Sequence, residues 1–214
     1  MYCQVEPDQV IGVKDVKSTY LVPEVLRDQN YVTALSKVLS LDKIDIPPNL
    51  KLAGNITWDK WRSSTMIKHD VPIVKIAVVG KYTTFPDSYL SLSKALEHAA
   101  MACDRRLELV FVDSSDLYEG MQRDILRRYQ KAWKHVHTAD GIIVPGGFGK
   151  RGTVGMLAAI KLAREKKRPF LGICFGMQMA VVEFARNVCG FDHANSAERR
   201  FFFRRKFDPL DDIC

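Results

Sequence analysis

The sequence of 214 residues has no apolar run near the roughly 20 residues of a membrane-spanning helix. Its start, MYCQVEPDQV, contains acids and a proline where a secretion signal has an apolar core. The five cysteines lack CxxC spacing, which argues against a disulfide framework and a zinc site. DNA- and RNA-binding motifs are missing too. We therefore expect a cytoplasmic protein that binds neither membrane nor nucleic acid.

The net charge of +7 is interpreted as a solvated basic surface, and an anionic ligand such as a nucleotide is the alternative. Hydrophobic residues make up 47% of the chain, enough for a globular core.

Apolar strands and helix-like segments alternate four times after residue 72. Strands are predicted over 73–80, 107–114, 141–146 and 169–173. Asp87 is predicted to cap the first helix and Gly190 to end the last. The pattern predicts an α/β fold, an open parallel sheet with helices on both faces, which binds ligands at the carboxyl ends of its strands.

The first part of the chain is less regular. We predict a short strand within 8–16, a helix over 22–41 and a linker rich in polar residues over 46–72. Trp58 and Trp61 either dock this linker on a neighbour or form one amphipathic turn.

A cysteine lies between two glycines in the segment 169–178, PFLGICFGMQ. Gly172-Ile-Cys174-Phe-Gly176 has the spacing of a nucleophile elbow, a strained strand-to-helix turn that leaves no room for side chains two positions away. The helix N-terminus favours thiolate over thiol, and the Phe175 N–H faces a developing oxyanion. A buried, unreactive cysteine in a tight turn is the alternative.

A glycine-rich segment, Pro145-Gly-Gly-Phe-Gly149, closes the third strand. Glycines at a strand end expose backbone N–H groups, so we expect Gly147 to supply a second oxyanion donor beside Cys174. A plain turn and a phosphate loop are the alternatives, although the Gly-Lys-Ser/Thr ending of a P-loop is missing.

Together the motifs resemble the CTP synthase family. VPGGFG, RGTVGM, PFLGICFGMQMAVVEFARNV and HANSAE are similar to its glutamine amidotransferase domain. CQVEPDQVI, VKDVKSTYLVP and VGKYTTFPDSYLSLSKALEHA are similar to the segments before and at the start of that domain. The resemblance implies a synthetase remnant (1–45), a linker (46–72), an incomplete class I glutamine amidotransferase domain of flavodoxin-like fold (73–198) and a divergent tail (199–214).

The resemblance also implies an activity. The family makes CTP from UTP, ATP and ammonia released from glutamine, uses Mg²⁺ and forms tetramers. Since the synthetase core is not in this sequence, we expect the chain itself to hold no cofactor or metal.

Roles for individual residues follow from the same resemblance. Cys174 matches the nucleophile and Gly147 the oxyanion glycine. The residues that match the glutamine site are Gly147, Phe175, Gly176, Met177, Gln178 and Glu198, the last as partner of the α-ammonium. Asp15 and Val16 match a segment near the adenine of ATP. On their own, Gln178 and Glu198 are typical solvated surface residues.

The histidine base of the family, with a glutamate two residues later, is not found after Cys174. Only His193 follows, without that glutamate, and His69, His98, His135 and His137 precede. From residue 199 the chain runs RRFFFRRKFDPLDDIC, which we interpret as foreign to the fold.

Three hypotheses remain open. The chain is an incomplete CTP synthase, inactive or strongly impaired alone; or a fragment that only binds glutamine or pairs with full-length subunits; or a cysteine hydrolase with a base among the earlier histidines. We also expect residues 1–45 to pack poorly and the tail to have no stable place in the sheet.

Overall fold

The computed structural model describes residues 4–65, 70–118, 123–149 and 151–196. The chain divides into two compact units, Met1–His69 and Asp70–Cys214. Within the described ranges, no helix has both the length and the apolar character that crossing a membrane requires.

The first unit consists of short helices. They are α1 (Val22–Asp28), α2 (Tyr31–Val38) and α3 (Pro48–Thr65), with 3₁₀ turns at Pro7–Gln9, Thr19–Leu21 and Leu41–Lys43. The strand predicted within 8–16 is wrong, since this stretch has only the end of a 3₁₀ turn followed by unpaired chain. The helix predicted over 22–41 is divided at Asn30, whose φ of 58° is left-handed and cannot continue a helix.

The segment 46–72 contains the helix α3, although its sequence shows no steady apolar period. Pro48 is the first helical residue, a position where its missing N–H breaks no helical bond. Trp58 lies 4.9 Å from the Arg27 guanidinium of α1, so this tryptophan docks on a neighbour as one alternative predicted. Of residues 4–65, where burial is described, only Thr65 is buried, so this described part of the unit has no core of its own. The role of 46–72 as a linker stays a prediction.

The second unit is built on a parallel sheet. Its strands are β1 (Ile73–Gly80), β2 (Arg106–Asp113), β3 (Gly141–Val144) and β4 (Phe170–Gly172). Their spatial order is β2-β1-β3-β4, and every pair is parallel. The predicted sheet and its four strands are confirmed, with β3 and β4 shorter than expected.

Four helices cover the sheet: α4 (Leu90–Ala102), α5 (Arg123–Thr138), α6 (Thr153–Glu165) and α7 (Phe175–Asn187). Asp87 is not the cap of α4, because it lies inside a 3₁₀ turn, Pro86–Tyr89, and neither Phe85 nor Tyr89 at the two N-cap positions makes a side-chain cap bond. The last helix ends at Asn187, and Gly190 then takes a left-handed φ of 76°.

The main core lies between one face of the sheet and α5, α6 and α7. Val79, Ile142 and Val144 face it from the strands. Because strand side chains alternate, the buried Val78 and Ile143 face the opposite side, and α4 contacts β2.

An ion pair joins α6 to α7. The Glu183 carboxylate, 1% exposed, accepts hydrogen bonds from Arg164 Nε at 2.9 Å and Nη2 at 2.8 Å. This hydrogen bond raises the pKa of Arg164, against a smaller lowering by desolvation. The bidentate contact fixes the direction of α7, whose first turn follows Cys174.

Replacing Gly176 by alanine is expected to destabilise the second unit by about 3 kcal/mol or more, because an added Cβ lies 1.9 Å from the Val144 carbonyl oxygen. Gly54→Ala is the matched control: its Cβ meets nothing within 4 Å, and alanine in a helix is expected to stabilise by about 0.5–1 kcal/mol. Urea unfolding followed by circular dichroism measures both. Equal midpoints for Gly176→Ala and the parent chain would contradict this packing.

Candidate active site

The direction in which the chain crosses the sheet reverses between β1 and β3. From β1 the chain crosses to β2 on one side, and from β3 it crosses to β4 on the other. Ligands of open α/β sheets bind at such a reversal. Three of the four strands end in distinctive residues: Lys81 after β1, Gly146 after β3 and Cys174 after β4.

Cys174 has the backbone of a nucleophile elbow. Its φ of 53° and ψ of −112° are strained for a residue with a side chain. The Ile173 N–H donates to Val144 O at 2.9 Å, which continues the sheet up to the turn. The Gly176 N–H donates to Ile173 O at 2.9 Å, which starts the helix directly after it. The strand-to-helix turn predicted from the sequence is therefore present.

The two flanking glycines are required by close backbone contacts. A Cβ on Gly172 would lie 2.8 Å from the Gly176 carbonyl, and one on Gly176 would meet β3. The turn is therefore tight enough to hold Cys174 at the N-cap of α7. Cys174 is exposed, which disagrees with the alternative of a buried cysteine.

The glycine-rich segment after β3 lies against the cysteine. The Cβ position of Gly146 is 3.3 Å from Cys174 Cβ and 3.7 Å from its Sγ. Gly147, the expected neighbour, lies one residue further, with its Cβ position 3.4 Å from Lys81 Cδ. The direct contact with the cysteine is therefore made by Gly146.

The first N–H of the turn that donates a helical hydrogen bond is that of Gly176, and the Phe175 N–H lies one residue before it. It belongs to the peptide that follows Cys174, in the position from which an elbow donates to an oxyanion. The Phe175 side chain is 3% exposed and anchors the turn in the core.

Gln178 is brought next to the segment that leads to Glu198. Ser196 Oγ donates to Gln178 Oε1, linking the HANSAE motif to the first turn of α7. Met177, 57% exposed, lies on the same turn. Glu198 and the tail 199–214, with Phe201–Phe203, lie outside the described residues. Ser196 was not predicted as a site residue, although its place in that motif was a usable signal.

Lys81 is a further residue that sequence reasoning missed. Its side chain is 1% exposed, and its ammonium donates to the carbonyl oxygens of Phe148, at 3.2 Å, and Gly149. Lysine is seldom buried, so the sequence alone gave no signal except its place directly after β1.

The described histidines lie on α4 (His98), on α5 (His135 and His137) and in the segment after α7 (His193). His135 and His137 occupy the last turn of α5, and a helix returning to the next strand ends at the amino edge of the sheet. His135 lies near Lys75, in the first half of β1; burial and neighbouring cations lower its pKa, which favours the neutral imidazole. His193 precedes Ala194, whose carbonyl accepts from Arg186 in the last turn of α7.

Asp15 and Val16 lie in the first unit, Asp15 exposed and Val16 half-buried. In the ranges that the structure describes, no group of three or more His, Cys, Asp or Glu side chains is placed to hold a metal ion. No ligand set for Mg²⁺ can therefore be assigned to these residues.

The fold and the cysteine elbow define an amidotransferase-like site, and the sequence matches the family Glutamine amidotransferase class-I over residues 84–209. The chain belongs to this family. The match extends into the segment 199–214, whose separation as a divergent tail stays a prediction.

Within this family the chain is similar to CTP synthases. It is 49% identical over 196 residues to CTP synthase of Gibberella zeae, covering 92% of this chain and 34% of that protein. It is 45% identical over 214 residues to CTP synthase 2 of Saccharomyces cerevisiae, covering 100% and 37%. The chain thus spans about a third of the length of these relatives.

A solved structure is similar as well, the Trypanosoma brucei CTPS glutaminase domain with bound acivicin. The TM-score is 0.51 and the identity 42%, covering 58% of this chain and 45% of that one.

Proposed function

We propose that this chain carries the glutamine-attacking part of a CTP synthase, the enzyme that aminates UTP to CTP with ATP and ammonia from glutamine. The main support for this proposal is that Cys174 has a strained backbone and contacts Gly146 at the carboxyl edge of the sheet. This arrangement supports attack by a thiolate on a carbonyl carbon.

The proposed chemistry begins with Cys174 Sγ bonding to the side-chain amide carbon of glutamine. Negative charge moves to the amide oxygen, where the N–H groups of Phe175 and Gly147 stabilise it. The amide nitrogen then accepts the proton that the thiol released, returned through water, and the carbon–nitrogen bond breaks with loss of ammonia. Water hydrolyses the thioester to glutamate and restores the thiol.

Glutamine recognition is proposed for the first turn of α7 and the segment facing it. Gly176, Met177 and Gln178 line one side, and the bond from Ser196 to Gln178 directs the chain toward Glu198. We propose that the Glu198 carboxylate pairs with the α-ammonium of the substrate, since a free amino acid brings a cation that needs an acidic partner.

The other steps are proposed for the whole enzyme. It binds ATP near Asp15 and Val16, uses UTP and Mg²⁺, and forms a tetramer in the cytoplasm. A second candidate is a non-catalytic fragment that only binds glutamine or associates with full-length subunits. The position of His135 and His137 at the amino edge of the sheet, opposite Cys174, favours this alternative.

Protection from alkylation tests glutamine binding. The chain is treated with iodoacetamide, with and without glutamine, and alkylation is followed at each cysteine by peptide mass spectrometry. We expect glutamine, but not asparagine, to slow alkylation of Cys174, because only glutamine places its amide at the sulfur while its ammonium reaches Glu198. The exposed Cys103 and Cys189 serve as internal controls. Equal rates at Cys174 with and without saturating glutamine would contradict the proposed function.

A further inference from the structure

We propose that Lys81 is a positioning residue for the oxyanion site, holding the Gly147 segment and the Phe175 turn in register with Cys174. This inference rests on the proposed function. It assigns to a buried lysine outside the cysteine and glycine motifs a role in the attack step.

Lys81 bonds directly to the glycine-rich segment. Its ammonium donates to Phe148 O at 3.2 Å and to Gly149 O, and its Cδ lies 3.4 Å from the Cβ position of Gly147. Three of the five residues in Pro145–Gly149 are glycines, so the segment loses much backbone entropy on ordering. Charge-assisted bonds to two successive carbonyls fix the peptide planes that follow Gly147.

The same ammonium contacts the elbow. It lies 4.3 Å from the centre of the Phe175 ring, within the range of a cation–π interaction. Phe175 and Gly147 are the residues whose N–H groups are proposed to stabilise the oxyanion. A single side chain thus contacts both donor-bearing segments, one through its carbonyls and the other through its aromatic ring.

The strand behind Lys81 makes its position rigid. Its backbone N–H donates to the Tyr89 hydroxyl at 3.1 Å, directly after β1 ends at Gly80. Because a buried ammonium without partners is costly, the lysine and the carbonyls of Phe148 and Gly149 stabilise one common arrangement. Removing the ammonium is expected to loosen the donors without removing either of them.

Two reagents separate positioning from general reactivity. A chloroketone analogue of glutamine carries its chlorine on the carbon next to the carbonyl. Sulfur adds to the carbonyl carbon to form an oxyanion, then moves to the neighbouring carbon as the first carbon–sulfur bond breaks, the carbonyl re-forms and chloride leaves. Iodoacetamide loses iodide in one displacement at a saturated carbon and does not need that site. The ratio of the two second-order rate constants at Cys174 therefore reports oxyanion stabilisation.

In the 214-residue chain, Lys81→Met is expected to lower this ratio about 10- to 100-fold. This effect is at most as large as that of removing an oxyanion donor. Lys94→Met is the matched control, since this lysine is exposed on α4 and ion-paired to Glu97; its ratio is expected to stay within about twofold of the parent. Circular dichroism and urea midpoints report folding of each variant.

The outcomes are distinguishable. If the ratio is high in the parent chain and the ratio of Lys81→Met stays within about twofold of it, the inference is overturned and the proposed function stays intact. A parental ratio at Cys174 no higher than at Cys189 overturns the proposed function, and the inference with it. If Lys81→Met does not fold, Lys81→Gln is the deciding variant. Its shorter amide reaches at most one of the two carbonyls, so we expect the ratio of rate constants to fall about fivefold or more. An unchanged ratio in Lys81→Gln overturns the inference.

Discussion

Acivicin is expected to label the chain once, at Cys174, and Cys174→Ala is expected to abolish that labelling. The compound is an amino acid with an electrophilic ring carbon, and it is bound in the solved Trypanosoma brucei glutaminase domain. The elbow exposes the sulfur at a helix N-terminus, beside the proposed glutamine site. We expect a fall to background, since no other group can replace the attacking thiolate.

Intact-protein mass spectrometry measures the adduct, and peptide mapping locates it. Cys103→Ala is the matched control, because Cys103 is an exposed free cysteine in the same unit. It is expected to be labelled at the parental rate. Labelling that persists in Cys174→Ala, or that falls equally in both variants, would contradict the assignment of the nucleophile.

Glutamine hydrolysis by the 214-residue chain is expected to be about 100- to 10,000-fold slower than by a full-length CTP synthase. The departing ammonia needs a proton, and His135 and His137, in the last turn of α5, lie at the amino edge of the sheet, opposite Cys174. Groups that act as a unit lose most of their benefit together, so a nucleophile without its base turns over poorly. CTP formation is expected to be undetectable.

Ammonia release from glutamine measures this prediction, with CTP synthase 2 of Saccharomyces cerevisiae as the full-length control. Added imidazole is expected to raise the rate of this chain more than that of the control, because it replaces a missing proton-transfer group. A rate near that of the control would contradict the prediction and indicate an unidentified base. His193→Gln is then the first variant to assay.

The two units differ in how well the sequence predicted them. In the second unit, the apolar run Ile73–Gly80 forms a strand whose last four residues are buried, as expected of a sheet covered on both faces, so pattern and structure agree. In the first unit, α3 is exposed along almost its whole length, so no apolar stripe marks it as a helix. The prediction of Asp87 as a helix cap was wrong because a 3₁₀ turn that contains Asp87 directly precedes α4.

The elbow could be predicted from the local sequence alone. Glycines two residues before and after Cys174 are needed because the turn brings Gly172 against Gly176, and Gly176 against β3. That requirement is local, so spacing alone expresses it. The same spacing predicted the start of α7 directly after the cysteine, and the structure confirms it.

The residues that contact the elbow depend on strand pairing and could not be predicted from local sequence. The pairing of β3 with β4 places Gly146 against Cys174, and the pairing of β1 with β3 brings Lys81 beside the same segment. In sequence, Lys81 is a cation that most proteins leave in solvent. It is buried here because carbonyls from residues 148 and 149, far along the chain, replace its water, and long-range contacts of this kind have no local pattern.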